Sequence, residues 1–201
     1  NITFVVNGVS QMCQLQENDR SLSILPIHHT FESTIGIMVI LFQGSSIAFY
    51  EGLKYVVKNL QESQASILVA VPLIIESIYE KIWKQAKETK KDGMLRTAIR
   101  LNKTLLALGI DKRRQIFHSV YRNFGGNLRF FVCGAASINP TVVKGLMDLG
   151  FDITIGYGLT ETAPLTSGVS DFEFDTLYRK PGSCGRAIPG GELKIINEDE
   201  D

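Results

Sequence analysis

Cysteine is scarce in this chain: three in 201 residues, Cys13, Cys133 and Cys184, far apart and in no CxxC pair. That spacing supports neither a disulfide framework nor a zinc site, and it fits a reducing, cytoplasmic setting. Long apolar runs are scarcer still. The longest, "IGIMVILF" (residues 35–42), has eight residues, against the roughly 20 that span a bilayer, so no transmembrane helix is expected. The opening "NITFVVNGVSQ" lacks the basic start and small-residue cleavage site of a signal peptide. Catalytic signatures are missing as well: there is no GxxxxGK[ST] phosphate loop, no HExxH zinc helix and no GxSxG elbow. "GSSIA" (44–48) lacks the second glycine of the elbow and follows a helical run.

Net charge is absent too, with 21 basic against 21 acidic side chains, but the balance is uneven. Residues 81–129 hold thirteen Lys/Arg and three Asp/Glu, a surplus of ten positive charges that the rest of the chain offsets. A solvated helix face is the simplest account of residues such as Lys112, Arg113 and Arg114. Phosphates, an anionic membrane surface touched peripherally, or an acidic neighbouring domain are the alternatives. The aromatic residues in this stretch follow core periodicity, which argues against nucleic acid. With 44% apolar and 21% charged residues, what remains is an ordinary globular chain, long enough for a genuine core.

The pattern alternates along the chain. "SLSILPI" (21–27), "SSIAFY" (45–50), "ASILVAV" (65–71), "LRFFVC" (128–133) and "DITIGY" (152–157) read as strands. Between them, residues 31–44, 55–63 and 139–150 read as helices. Pro72 opens another, with Ile74, Ile75, Ile78, Tyr79, Ile82 and Trp83 on one face. Residues 92–109 and 111–126 predict two more, the second starting at an Asp111 cap and ending at Gly125. Strands alternating with helices predict an α/β fold, a largely parallel sheet with helices on both faces. After a loop-like stretch from residue 167, "GELKIINE" (191–198) predicts a strand of a different, antiparallel element. The division is therefore 1–166 and 167–201.

In such sheets ligands sit beyond the carboxyl ends of the strands, where three stretches fall: "PIHHTFE", "CGAAS" and "GYGLTETAP". In the third, Gly156 and Gly158 admit close backbone approach, and Tyr157 offers a flat face for a planar ring. Thr160 and Glu161 supply hard oxygens suited to Mg²⁺ and phosphate; a strand-to-helix turn capped by Thr and Glu is the plainer alternative. Gly134, Ala135 and Ala136 leave room for a flat ligand or for close helix packing equally well. A metal site at His29 and Glu32 lacks a third ligand with usable spacing, and His118 reads as structural.

Together, "LPIHHTFE", "GYGLTETAP" and "KPGSCGRAIPGGELKI", in this order and at these separations, resemble the adenylate-forming (AMP-binding) enzymes. The helical stretch before "FFVCGAASINP" most resembles the long-chain fatty acyl-CoA synthetases. The resemblance implies ATP, Mg²⁺ and coenzyme A, with a fatty acid activated as its acyl-adenylate and passed to the CoA thiol. By the same resemblance Tyr157 stacks on adenine between Gly156 and Gly158, Thr160 contacts phosphate, and Glu161 binds Mg²⁺. Gly134, Ala135 and Ala136 flank adenine and the acyl group, and His29 orients the carboxylate. "GSCGRAIPG" leads into a small β-barrel-like subdomain. An aryl-CoA ligase, a peptide-synthetase adenylation domain and a non-catalytic module of the same fold remain alternatives.

The family's phosphate loop with its lysine is expected just before residue 1. Its ribose-binding aspartate and the C-terminal domain with the adenylation lysine are expected after residue 201. The chain is thus expected to be a central piece that is inactive alone, because both missing parts act on charge in the transition state.

Overall fold

Five short strands form the parallel part of the sheet, all but the Ser-rich β1 built mainly from apolar and β-branched residues: β1 (Arg20–Ser23), β2 (Ser46–Phe49), β3 (Ile67–Ala70), β4 (Phe130–Cys133) and β5 (Asp152–Tyr157). Two short strands, β6 (Ser167–Gly168) and β7 (Arg186–Ala187), pair antiparallel along the β5 edge. The order is β2-β1-β3-β4-β5-β6-β7. The computed structural model describes residues 1–13, 15–170 and 174–196.

Alternation along each strand divides the core between the two faces of the sheet. Leu68, Ala70, Phe131, Cys133, Ile153 and Ile155 point to one face, covered by α3 (Val56–Ser63), α4 (Pro72–Glu88), α7 (His118–Arg122) and α8 (Pro140–Asp148). Ile67, Val69 and Phe130 point to the other, under α1 (Ile2–Met12) and α2. Helix α2 opens with wide π-type turns over Phe31–Val39 and continues α-helically through Ile40–Phe42. Helix α5 (Asp92–Ala107) lies outside these layers, packed on α4 and α8 rather than on the sheet. Short α6 (Arg113–Ile116) and α9 (Phe174–Arg179) complete the helices.

The predicted α/β architecture is present, with four local departures. The stretch from residue 167 that reads as loop-like carries β6, α9 and β7, because its backbone pairs along the β5 edge. Helix α1 was not anticipated, although Val5, Val6, Val9 and Met12 give it a buried stripe at helical spacing. The single helix expected over 111–126 is instead two short segments broken at Phe117, whose ring is fully buried. Asp111 does accept from the Arg113 amide at its start, and Gly125 closes the segment at φ 86°, where an added Cβ would lie 2.6 Å from the Leu60 carbonyl. The strand expected over 191–198 is not formed: residues 191–196 are irregular, and the remainder lies outside the described residues. Leu193, Ile195 and Ile196 are exposed, with no neighbouring strand among the described residues to complete their hydrogen bonds.

The amino ends of the strands are tied by one buried carboxylate. Asp19 accepts from Arg129 Nη2 at 2.5 Å, from Ser66 Oγ at 2.6 Å and from the Gln16 amide at 2.9 Å. This links the start of β1 to β4 across β3. No helix among the described residues is long and apolar enough to cross a membrane.

Candidate functional site

Because β1 and β4 both flank β3, the stretches following them emerge on either side of it, and the stretch after β5 lies next to that after β4. All three predicted segments therefore rise from neighbouring carboxyl ends, where open α/β sheets bind ligands. Phe31 joins the first two: its ring fills the space beside Gly134, where a Cβ would lie 2.9 Å away.

The loop after β5 explains its own glycines. A Cβ on Gly156 would meet Leu165 Cδ1 at 2.6 Å, and one on Gly158 would lie 1.7 Å from the Pro164 carbonyl oxygen. The chain folds back on itself at these two points, held by the Thr166 amide and hydroxyl donating to the Tyr157 carbonyl at 2.9 and 3.0 Å. The outcome for chemistry is that Tyr157 is turned outward and half exposed (53%). Thr160 and Glu161 are exposed beside it on a single short turn. That turn is capped by Thr162, whose hydroxyl accepts from the Leu159 amide at 2.9 Å and donates to its carbonyl at 2.8 Å. Thr160 and Glu161 are thus not used as caps.

After β4, Gly134 is buried while Ala135, Ala136 and Ser137 are exposed. Ala135 adopts φ 70°, a left-handed conformation costly for a residue with a side chain. His29 is exposed, and its Nδ1 accepts from the Phe31 amide at 3.2 Å. No hydrogen bond joins His29 to Thr160 or Glu161 among the described residues.

Beneath these segments lies an apolar cavity that sequence reasoning did not find. Phe31, Cys133 and Gly156, one from each segment, form its upper wall, and it runs between the sheet and α1/α2 past Val69, Phe130, Ile35 and Val9. About 40 Å³ is open to the centre of a water-sized sphere, room for a few waters. A larger guest must displace side chains such as Phe31, Met12 or Leu165. Such a cavity has no motif, since its lining comes from six elements.

One buried acid borders this region. Glu32, one residue beyond Phe31, is fully buried; it accepts a hydrogen bond from Ser23 Oγ through Oε1, while Oε2 has no partner among the described residues. Burial pushes its pKa up to about 7, and the Ser23 hydrogen bond only partly opposes this. Gly36 makes the arrangement possible, because a Cβ there would lie 2.6 Å from a Glu32 oxygen.

A Mg²⁺ ion fits the donor set at Thr160 and Glu161 in kind, since it is commonly held by one or two carboxylates while waters and phosphates fill its remaining positions. Among the described residues no cluster of three or more His, Cys, Asp or Glu forms a self-sufficient metal cage.

Comparison with known proteins identifies the family and the fold. A family model described as AMP-binding enzyme matches residues 1–201. Human long-chain-fatty-acid–CoA ligase 1 is 32% identical over 210 residues, covering 98% of this chain and 29% of the relative. Among solved structures, o-succinylbenzoate CoA synthetase from Bacillus subtilis, bound with a product analogue, superposes with a TM-score of 0.69 at 16% identity, over 98% of this chain and 33% of that one. The anthranilate CoA ligase AuaEII in complex with anthranoyl-AMP gives 0.68 at 17% identity, over 98% and 31%. At such identities the structures establish the fold alone. The chain spans less than a third of the length of these curated relatives. It belongs to the AMP-binding enzyme family.

Proposed function

We propose that this chain carries part of the nucleotide- and acyl-binding core of an ATP-dependent acid–CoA ligase acting on a long-chain fatty acid. The observation that supports this reading best is the apolar cavity roofed by Phe31, Cys133 and Gly156. An alkyl chain entering it would place its carboxylate among the three segments. In this reading a carboxylate oxygen of the acid attacks the α-phosphorus of ATP, pyrophosphate leaves, and the sulfur of CoA then displaces AMP from the acyl-adenylate.

The chain's own residues divide the binding. Tyr157 presents a half-exposed ring on which adenine stacks, worth about 1–3 kcal/mol for such contacts. Gly134, Ala135 and Ala136 keep the opposite wall low. The Thr160 hydroxyl donates to a phosphate oxygen, and Glu161 would hold Mg²⁺, which neutralises charge on the phosphates when bound. His29, exposed above Phe31, orients the carboxylate. In this reading residues 1–166 carry the parallel α/β part, and the segment from 167 adds β6 and β7 to the edge of the same sheet before leading toward a further β subdomain. The full reaction needs groups beyond those in this chain, so the chain by itself binds without turning over.

Calorimetric titration of non-hydrolysable acyl-adenylates tests this. Binding should weaken about fivefold or more in Tyr157→Ala, the scale of a lost stack. Affinity should also rise with acyl length, by up to about 0.8 kcal/mol per methylene buried. Equal affinity for acetyl and palmitoyl analogues would remove the long-chain reading, and an unchanged Tyr157→Ala would remove the site.

A further inference from the structure

Helices α4 and α5 are joined only by residues 89–91, a connection short enough to lay neighbouring helices antiparallel. The two arms of this hairpin do not close on each other. A groove of about 350 Å³ runs between them, within the size range of small-molecule sites. Each arm lends it one stripe at helical spacing: Ile82, Gln85, Ala86 and Thr89 from α4 and its cap, Lys91, Met94, Leu95 and Ala98 from α5 and the residue before it. Each stripe spans seven residues, about 10 Å at 1.5 Å per residue, so the groove is elongated along the hairpin. Ile116, Phe117 and Val120, at the break between α6 and α7, supply its third wall, and Phe117 and Val120 are buried.

The two ends of the groove differ in polarity. Thr89 and Lys91 stand at the closed end of the hairpin, whereas Ile82 and Ala98 stand at the other. The Thr89 hydroxyl donates back to the Gln85 carbonyl at 2.8 Å. Lys91 therefore carries the only charge among the described residues that line the groove, and no Asp or Glu lines it. The Lys91 amide donates to the Ala86 carbonyl at 2.7 Å, which fixes the cation's backbone against α4. Its ammonium forms no ion pair among the described residues. The acids nearest in sequence lie outside the groove: Glu88 pairs with Lys84 at 4.0 Å, and Asp92 opens α5. Midway along, the polar side chains satisfy each other, Asn123 Nδ2 donating to Gln85 Oε1 at 2.9 Å.

We propose that this groove is a binding site for an amphiphile with one anionic head and one unbranched alkyl chain, in chemical class a fatty acid. The carboxylate meets Lys91, and the chain runs along Leu95 and Ala98 toward Phe117. One unpaired cation at one end of an apolar groove selects a single negative charge at one end of its guest. The elongated shape selects an extended chain over a compact ring system. A sugar or nucleotide would find too few partners, since the other polar side chains, Ser119 apart, are paired together or turned back on the helix. The groove lies among α4, α5 and α7, on the opposite face of the sheet from the cavity under α1 and α2. The proposal is thus independent of the ligase reading, and none of these residues belongs to the candidate site.

Trp83 is the only tryptophan of the chain and follows the groove residue Ile82, so its fluorescence reports this site rather than the cavity across the sheet. Titration with ω-bromododecanoate, whose bromine quenches an indole at short range, should quench Trp83 saturably below the concentration at which the probe aggregates. The matching ω-bromododecanol should bind about fivefold more weakly. Lys91→Gln should weaken the acid by about the same factor, the upper range for an exposed ion pair, and leave the alcohol unchanged. Lys91→Arg should retain the affinity of the parent. Ala98→Phe, which fills the groove, should abolish quenching by both probes. Lys91 is exposed, so its variants should unfold at the temperature of the parent and decide the matter even where Ala98→Phe folds poorly. The absence of saturable quenching, equal affinity for acid and alcohol, or acid binding that Lys91→Gln leaves unchanged would each overturn the proposal.

Discussion

Phe31 and Gly134 are locked together: the ring from the start of α2 occupies the space that any side chain at 134 would need, with an added Cβ only 2.9 Å from the ring. Phe31 is nearly buried and also walls the apolar cavity. The two strand ends they belong to are separated by β3, so this contact bridges the crevice.

Gly134→Ala should therefore destabilise the chain by about 1–3 kcal/mol, the range for overpacking a well-filled core. Phe31→Leu in the same chain should recover most of that loss. A double-mutant cycle by urea denaturation reads the coupling directly, and additive effects would show that the ring moves aside freely.

Glu32 gives stability a pH dependence of defined sign. Its folded pKa, about 7, lies above its ordinary value because of burial, so the folded chain holds a proton that the unfolded chain has already released. Stability is then greatest below the ordinary carboxylate range, falls as pH rises from about 4.5 toward 7, and is flat above. The total is at most a few kcal/mol. Glu32→Gln should abolish this slope and be more stable than the parent at pH 8, as thermal unfolding across pH would show. A parallel slope in the variant would exclude Glu32 as its source.

Asp19 works in the opposite sense. Burial alone would raise its pKa, but hydrogen bonds from Arg129, Ser66 and Gln16 hold the carboxyl below its usual range. Its stabilisation is complete above the unfolded value near 3.9 and is lost as pH falls through the folded one. Removing the partner is worse than acid: Arg129→Met leaves a buried carboxylate unpaired and should cost about 3 kcal/mol. Asp19→Asn combined with Arg129→Met should cost less than Arg129→Met alone, since the orphaned charge is gone.

The candidate loop separates backbone need from chemical need. At Gly158 an added Cβ would lie 1.7 Å from a backbone oxygen, which cannot rotate away. Gly158→Ala should thus disorder residues 157–164 and abolish acyl-adenylate binding. Tyr157→Phe, which keeps the ring and loses only a half-exposed hydroxyl, should bind within about twofold of the parent, since exposed substitutions of this kind cost about 0.5 kcal/mol or less. Amide exchange over the loop would distinguish loss of order from loss of contact.

Local chemistry carried much of this protein in its sequence. Alternation of apolar residues set the five parallel strands to within a few residues, and Pro72 and Asn139 announced α4 and α8, the latter with Asn139 Oδ1 accepting from the Thr141 amide. The order of "LPIHHTFE", "GYGLTETAP" and "KPGSCGRAIPGGELKI" announced the family, and the position of "LPIHHTFE", "CGAAS" and "GYGLTETAP" at strand ends announced a shared crevice, because strand ends in a parallel sheet converge whatever fills the helices between them. What the sequence did not carry was anything made by distant partners. Helix 111–126 is broken at Phe117, whose backbone leaves helical geometry at φ −101°, ψ 19°. The glycines at 134, 156 and 158 are required by Phe31, Leu165 and Pro164, not visible from their own neighbourhoods. The cavity is lined from six elements, and the raised pKa of Glu32 is a consequence of its burial between α2 and the sheet. Periodicity and capping act over a few residues and are written in order along the chain. Packing, desolvation and shared walls depend on which residues meet, and only the assembled sheet with its two helical layers decides that.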